Sequence, residues 1–215
     1  MIELYTYFRS SAAFRVRIAL NLKDLDYQPH YVHLLKDGGQ EKSTDYQQIN
    51  PYKLVPSFKD EGQVITQSLA AIEYIDEKYP EPRLLPQDAM QRAQIRSLAL
   101  SIACDVHPLN NLRVVEYLTK YFAMNEDQKI SWIQHWIGEG FSALETQLNR
   151  NQADNYCYGN QVTLADLCLI PQVYNARRFN CDMNDYPIIS RIYERCMQLP
   201  AFQKASPEAQ QDCDI

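Results

Sequence analysis

The period of apolar and polar positions changes once along this chain, near residue 80. Ahead of that point residues 2–7, Ile-Glu-Leu-Tyr-Thr-Tyr, alternate with the two-residue period of a half-buried strand. Ser10-Ser11 then supplies N-capping hydroxyls for a run that predicts a helix to about Lys23, although the alternation Phe14-Arg15-Val16-Arg17-Ile18 fits a strand as well. A second strand is predicted near residues 27–34. Residues 53–59 and 63–66 read as a hairpin across Asp60-Glu61-Gly62, and Ser68 as the cap of a helix running to Tyr79. The resulting order, β-α-β-(short helix)-β-β-α, is that of a small α/β domain.

Three prolines within residues 80–86, Pro-Glu-Pro-Arg-Leu-Leu-Pro, forbid helix continuation and favour an extended connector. The expected organisation is therefore an α/β domain over residues 1–80, a linker over 81–88 and a second domain over 89–215. In that second part the apolar spacing becomes helical throughout. Residues 89–122 predict one long helical stretch interrupted at Pro108, and residues 128–149 another, with Trp132, Trp136 and Phe141 on its apolar side. Thr163-Leu164-Ala165-Asp166 is a capping pattern ahead of Leu167-Cys168-Leu169-Ile170-Pro171, apolar nearly all round and hence a buried helix. The polar tail from Ser206 is expected to be loose.

Composition narrows the function. The 215 residues carry 21 Lys+Arg against 27 Asp+Glu, a net charge of -6, which argues against nucleic-acid binding through phosphate neutralisation. Only 6 glycines are present, none in a dinucleotide or P-loop pattern. No segment approaches the roughly 20 apolar residues that span a bilayer, and the start Met1-Ile2-Glu3-Leu4 has no signal-like pattern, so a cytoplasmic protein is expected. The six cysteines contain no C-x-x-C pair and suit reduced, mostly buried thiols.

Five places can carry chemistry. Arg9-Ser10-Ser11 opens a helix whose first turn has no acid, so the free N–H groups and about half a positive charge favour an anion or thiolate. Arg15 and Arg17 add positive charge there, although from spacing alone plain N-capping by serine beside solvated arginines is the favoured account. Gln67-Ser68 opens another acid-free helix and is suited to a carboxylate. Val55-Pro56 interrupts a strand; a cis bond would turn Val55's backbone toward a peptide-like ligand, whereas an edge strand explains the proline without one. His107, Asn110, Asn111 and Arg113 project from a helix kinked at Pro108, and Cys104 with His107 lacks a second pair for a metal. Arg177-Arg178 either caps the buried helix or reaches a substrate.

Singly these signals are weak, but their order is specific. Tyr7-Phe8-Arg9-Ser10-Ser11-x-x-Phe14-Arg15-Val16-Arg17-Ile18-Ala19-Leu20, Asn50-Pro51-x-x-x-Val55-Pro56, Gln67-Ser68-x-Ala70-x-Ile72-Glu73-Tyr74, Pro82-Arg83-Leu84-Leu85-Pro86 and Leu164-Ala165-Asp166-Leu167-Cys168-Leu169-Ile170-Pro171-Gln172-Val173 together resemble zeta-class glutathione transferases over nearly the whole chain. The resemblance implies an α/β thioredoxin-like N-terminal domain that binds glutathione and an all-α C-terminal domain that completes a substrate pocket. It implies a glutathione site at Ser10, Ser11, Gln40, Val55, Gln67, Ser68, His107 and Asn111, with Ser10, Ser11 and Arg9 as the thiol-activating set. Ala12 stands where the family often has cysteine, and Tyr7 is the rival thiol partner. The implied reaction is glutathione-dependent cis-trans isomerisation of maleylacetoacetate to fumarylacetoacetate, in aromatic amino acid catabolism. In it the thiolate adds to a cis double bond, the bond rotates, and elimination returns the trans isomer; no metal is needed. Arg9, Arg113 and Arg178 are the expected cations for a small dicarboxylate substrate. A homodimer without nucleic-acid or membrane partners is expected. Maleylpyruvate isomerisation, glutathione transfer to small halogenated acids, and a non-catalytic glutathione-transferase-like binding protein remain open alternatives.

Overall fold

The computed structural model describes residues 1–214, which form two compact units: Met1–Leu84 with the chain from Gln198 on, and Leu85–Met197. The first boundary falls inside the expected linker. The second differs from the expected 89–215 assignment, because the last stretch groups with the first unit.

In the first unit β1 (Ile2–Thr6), α1 (Ser11–Leu22), β2 (Tyr27–Tyr31), α2 (Thr44–Ile49), β3 (Ser57–Asp60), β4 (Gln63–Thr66) and α3 (Ser68–Lys78) follow the order read from the sequence. They build one sheet in the order β2-β1-β3-β4, with β1 parallel to β2 and antiparallel to β3. A β-α-β crossover followed by a hairpin requires this mixed arrangement, since only the antiparallel pair can be joined by a tight turn. That turn uses Glu61 and Gly62, both at positive φ. Strand β3 begins at Ser57, after the cis Val55–Pro56 bond, rather than at residue 53. The helix reading of 11–22 holds over the strand alternative. Its arginines are not solvated: Arg15 and Arg17 are 2% and 0% exposed.

α9 (Pro200–Ala205) packs on α1, and its carbonyls accept from α1 side chains: Ala205 O from Arg17 Nε at 2.9 Å and Ala201 O from Asn21 Nδ2 at 3.0 Å. The tail beyond it is not loose. Asp212 Oδ2 accepts from Phe8 N at 3.0 Å, and Cys213 packs against the cluster of Tyr7, Phe8, Val32, Tyr46 and Val55. His33 Nδ1 accepts from the N–H groups of Leu35 and Lys36, so its Nε2 carries the proton donated to Asp214 Oδ2 at 3.1 Å. The proline-rich segment is held in turn by the buried Lys23–Asp76 pair at 2.6 Å. Lys23 also donates to Pro82 O, and Asp76 accepts from Leu84 N.

The second unit is helical. α4 (Ala89–Leu100) continues into a π-helical turn at Ser101–Val106 and a 3-10 turn at His107–Asn110 before α5 (Leu112–Phe122). The expected break at Pro108 thus begins earlier, at Ser101. Proline clashes with the carbonyl four residues back, here Cys104, and a widened turn around that residue relieves the clash. Gly140 of α6 (Glu126–Arg150) lies against this turn, where a Cβ would run into the Val106 side chain. The buried face of α6 is Ile133, Ile137, Phe141, Leu144 and Leu148, so the two tryptophans flank the core rather than centre it. α7 (Leu164–Arg178) is buried on nearly every side through Ala176 and packs against α4 and α8 (Pro187–Met197). Of the six free cysteines, three (Cys157, Cys168, Cys196) are buried, and burial pushes the Cys157 and Cys196 thiols up.

Candidate active site

The end of β1 delivers the chain into α1 through Tyr7, Phe8, Arg9 and Ser10. Arg17 fixes this turn from below: Nη1 donates to Thr6 Oγ1 at 3.0 Å and Tyr7 O at 3.2 Å, and Nη2 donates to Phe8 O at 2.9 Å. Burial pushes its guanidinium down to about 10. A cation bonded to the Thr6 hydroxyl and to the backbone carbonyls of Tyr7 and Phe8 holds the start of α1 in one geometry.

Ser10 is the N-cap, with φ -70° and ψ 114°, and its Oγ accepts from Ala13 N at 3.2 Å. Ser11 is the first helical residue, 9% exposed, and the first turn contains no acid. Two hydroxyls therefore stand beside N–H groups and the positive end of the helix, a setting that favours a thiolate over a thiol. Arg9 adds a guanidinium 4.9 Å from the Phe8 ring centroid. Tyr7, by contrast, is 3% exposed, its Oη buried and its ring edge-on to Phe8 and His33 at 4.7 and 4.8 Å. Burial of that hydroxyl in the core favours the serines over the tyrosine.

Gln67, not Ser68, is the N-cap of α3. It has φ 72° and makes no side-chain capping bond, and Ser68 is the first helical residue. With no acid in the first turn, these early N–H groups are open to a ligand carboxylate. Ser68 is 5% exposed and its Oγ accepts from Arg15 Nη1 at 3.3 Å. The Val55–Pro56 bond is cis, and Val55 makes no backbone hydrogen bond among the described residues, while Leu54 O next to it accepts from both Tyr46 Oη and Asn50 Nδ2. Gln40 is turned into its own loop: Oε1 accepts from His33 N at 2.9 Å and Nε2 donates to Asp37 at 3.1 Å. In this arrangement its amide braces the loop.

The remaining expected residues lie in the helical unit. His107 opens the 3-10 turn, and Asn111 is the N-cap of α5, accepting from Arg113 N at 3.1 Å. Asn110 is an internal brace, donating to Val106 O and accepting from Asn175 Nδ2. Arg113 is exposed in the first turn of α5 and has no ion pair among the described residues, so Glu116 is not its partner. Arg177 is engaged, 2.7 Å from Glu194 and 4.1 Å from the Tyr193 ring centroid, whereas Arg178 stands over Phe179 at 4.4 Å. The described residues contain no group of three or more metal-binding side chains. The contact of Asp212 with the β1–α1 turn had no signal in the sequence.

The first unit is thus a mixed four-stranded sheet with two acid-free helix starts, and the second is helical. The chain matches the glutathione S-transferase N-terminal domain over residues 4–83 and the C-terminal domain over residues 136–200. It is 49% identical over 209 residues to a probable maleylacetoacetate isomerase of Vibrio cholerae, covering 97% of both chains. It superposes with TM-score 0.96 at 42% identity on the holo structure of a bacterial zeta-class maleylpyruvate isomerase, covering 99% of this chain and 100% of that one. A maleylacetoacetate isomerase of Methylobacterium extorquens, solved with malonate and glutathione, superposes with TM-score 0.91 at 37% identity, covering 99% and 100%. The chain belongs to the glutathione S-transferase family, in its zeta class, and uses glutathione.

Proposed function

We propose that the protein is a glutathione-dependent cis-trans isomerase that converts maleylacetoacetate to fumarylacetoacetate. The observation that carries the reaction is the end-to-end likeness to isomerases of this type. Glutathione fits the residues present. The tripeptide's γ-glutamyl carboxylate suits the start of α3 at Gln67 and Ser68, its peptide backbone suits the unspent Val55 backbone, and its thiol suits the start of α1. His107 and Asn111 are the helical unit's candidates for the rest of the peptide. Arg9, Arg113 and Arg178 are assigned to the substrate's carboxylates. Cytoplasmic tyrosine and phenylalanine breakdown, with the chain acting as a homodimer, completes the proposal.

Glutathione, when bound, supplies a thiol whose reversible addition to the cis double bond frees that bond to rotate. The Ser11 hydroxyl donates a hydrogen bond to the sulfur while keeping its proton, and the first-turn N–H groups and helix dipole of α1 add to the preference for the anion. Lowering a thiol pKa by about two units takes about 2.7 kcal/mol, within reach of one charge-assisted hydrogen bond at roughly 1.5–3 kcal/mol plus a helix terminus. Ser10 keeps its oxygen as the cap acceptor. Arginine cations stabilise the developing enolate and hold the dicarboxylate while the bond turns.

Thiolate absorbance of the bound cofactor tests the serine assignment. Ser11→Ala should raise the bound thiol's pKa by about one to two units, while Ser10→Ala mainly lowers stability by about 1 kcal/mol through the lost cap. If neither raises the pKa and Tyr7→Phe does, the tyrosine is the activating group. Calorimetry tests the carboxylate site: Ser68→Ala should weaken glutathione binding by about 1–2 kcal/mol, and unchanged affinity removes Ser68 from it.

Maleylpyruvate is the second reading, favoured by the 0.96 superposition on a maleylpyruvate isomerase. Comparing kcat/KM on the two maleyl substrates decides between them. Net consumption of free thiol during turnover would identify a transferase instead, and absence of any turnover a binding protein on this scaffold.

A further inference from the structure

α1 carries two arginines two residues apart, both buried, and the protein treats them differently. Arg17 spends every guanidinium nitrogen on an oxygen, of Ala205, Thr6, Tyr7 or Phe8. Arg15, 2% exposed, spends only Nη1, on Ser68 Oγ at 3.3 Å. Its Nε and Nη2 are buried without a hydrogen-bond partner, and no carboxylate pairs with it among the described residues. The fold can satisfy a buried guanidinium, as Arg17 shows, and can pair a buried cation, as Lys23 with Asp76 shows. Burying one that is neither paired nor fully bonded is costly, and Arg15 therefore calls for a counter-charge that the chain does not supply.

The place where an anion would arrive is adjacent. Ser68 opens α3, whose first turn has no acid and whose N-cap side chain makes no capping bond. Because Ser68 Oγ accepts from Arg15, the hydroxyl's own proton is left to be donated away from the arginine. We propose that Arg15 is the buried counter-charge of glutathione's γ-glutamyl carboxylate, a positioning residue that acts through Ser68. The inference rests on the reading that this carboxylate sits at Gln67 and Ser68. Arg15 orients the Ser68 hydroxyl toward the ligand and adds a full positive charge beneath a helix terminus that supplies only about half of one. Its atoms are screened from water, so the attraction is weakened little by solvent or salt.

The test uses two ligands on the full chain: glutathione, and 4-aminobutyryl-cysteinyl-glycine, which lacks only the γ-glutamyl α-carboxylate. By calorimetry the wild type should prefer glutathione strongly. Arg15→Met, close in volume and apolar, should weaken glutathione at least tenfold and leave the analogue within about twofold. The melting temperature of the ligand-free variant should hold or rise, because an uncompensated buried charge has gone. A preference as large as the wild type's, or an equal loss for both ligands, overturns the inference and leaves Arg15 a structural residue. A wild type that binds both ligands equally overturns the carboxylate reading itself, and this inference with it. Should Arg15→Met fail to fold, the Arg15 Nε–H resonance of the wild type, assigned by its loss in Arg15→Lys, gives the same decision. It should move on adding glutathione and stay for the analogue; no movement with either ligand overturns the proposal.

Discussion

Asp166→Ala should destabilise the protein by about 3–5 kcal/mol, at least about a fifth of the roughly 5–15 kcal/mol that holds a typical domain folded. Asp166 is fully buried and is the acceptor for three donors: Thr163 N at 2.7 Å, Thr163 Oγ1 at 2.8 Å and Cys157 N at 2.8 Å. Burial pushes its carboxyl above the usual carboxylate value, and these donors pull the other way. Removing the carboxylate leaves the three donors in a place water does not reach, each costing about 1–3 kcal/mol less whatever relaxation recovers. The chain supplies its own control. Asn125 and Gln128 form a capping box of the same kind at the start of α6, but in water, so Asn125→Ala should cost only about 0.5–1 kcal/mol. Denaturant titration of the two variants measures the difference. Equal losses would mean that burial adds nothing to the Asp166 box.

The same contrast shows what a sequence reveals. The α7 start was legible because its information is local: Thr163 and Asp166 stand three apart ahead of a run apolar on all sides. The hairpin was legible from Gly62, and β1 from simple alternation. α1 was ambiguous because Arg15 and Arg17 alternate with apolar residues, and only tertiary contacts bury both cations in a helix. Placing the cap at Ser68 followed the preference for serine there. The structure instead puts Gln67 at positive φ, a conformation that residue type does not announce. The π turn escaped because a proline marks a break but not how many residues ahead of it the helix widens, here from Ser101. The docked tail escaped because its partner is remote in the chain: Asp212 meets Phe8 across 204 residues, and polar composition suggested a free end. In the candidate site, the order of motifs pointed to the serines and to Gln67-Ser68, but nothing local distinguished Arg15 from Arg17 or showed that the Gln40 amide is occupied.

Arg113→Ala and Arg178→Ala should each lower isomerase kcat/KM by at least about tenfold, about 1.4 kcal/mol or more of transition-state stabilisation, and leave glutathione affinity nearly unchanged. The positions differ in what the helix does to them. Arg113 stands in the first turn of α5, where the dipole repels a cation, and no acid offsets it among the described residues. A residue held against its local field is suited to an anion that comes from outside. Arg178 ends α7, where a cation is welcome, so its placement alone does not separate capping from substrate binding. Its neighbour does. Arg177 shares the same helix end, but it is engaged by Glu194 and by the Tyr193 ring. Arg177→Ala should therefore leave kcat/KM unchanged and cost at most about 1 kcal/mol of stability, the scale of an exposed ion pair. Glu116→Gln should also leave the rate alone, since Arg113 does not depend on it. If Arg177→Ala lowers the rate as much as Arg178→Ala, both act by capping α7 and neither holds substrate. If the losses in rate are matched by losses in glutathione affinity, the arginines serve the cofactor site. Rate losses confined to Arg113 and Arg178 assign to them the carboxylates of the dicarboxylate substrate.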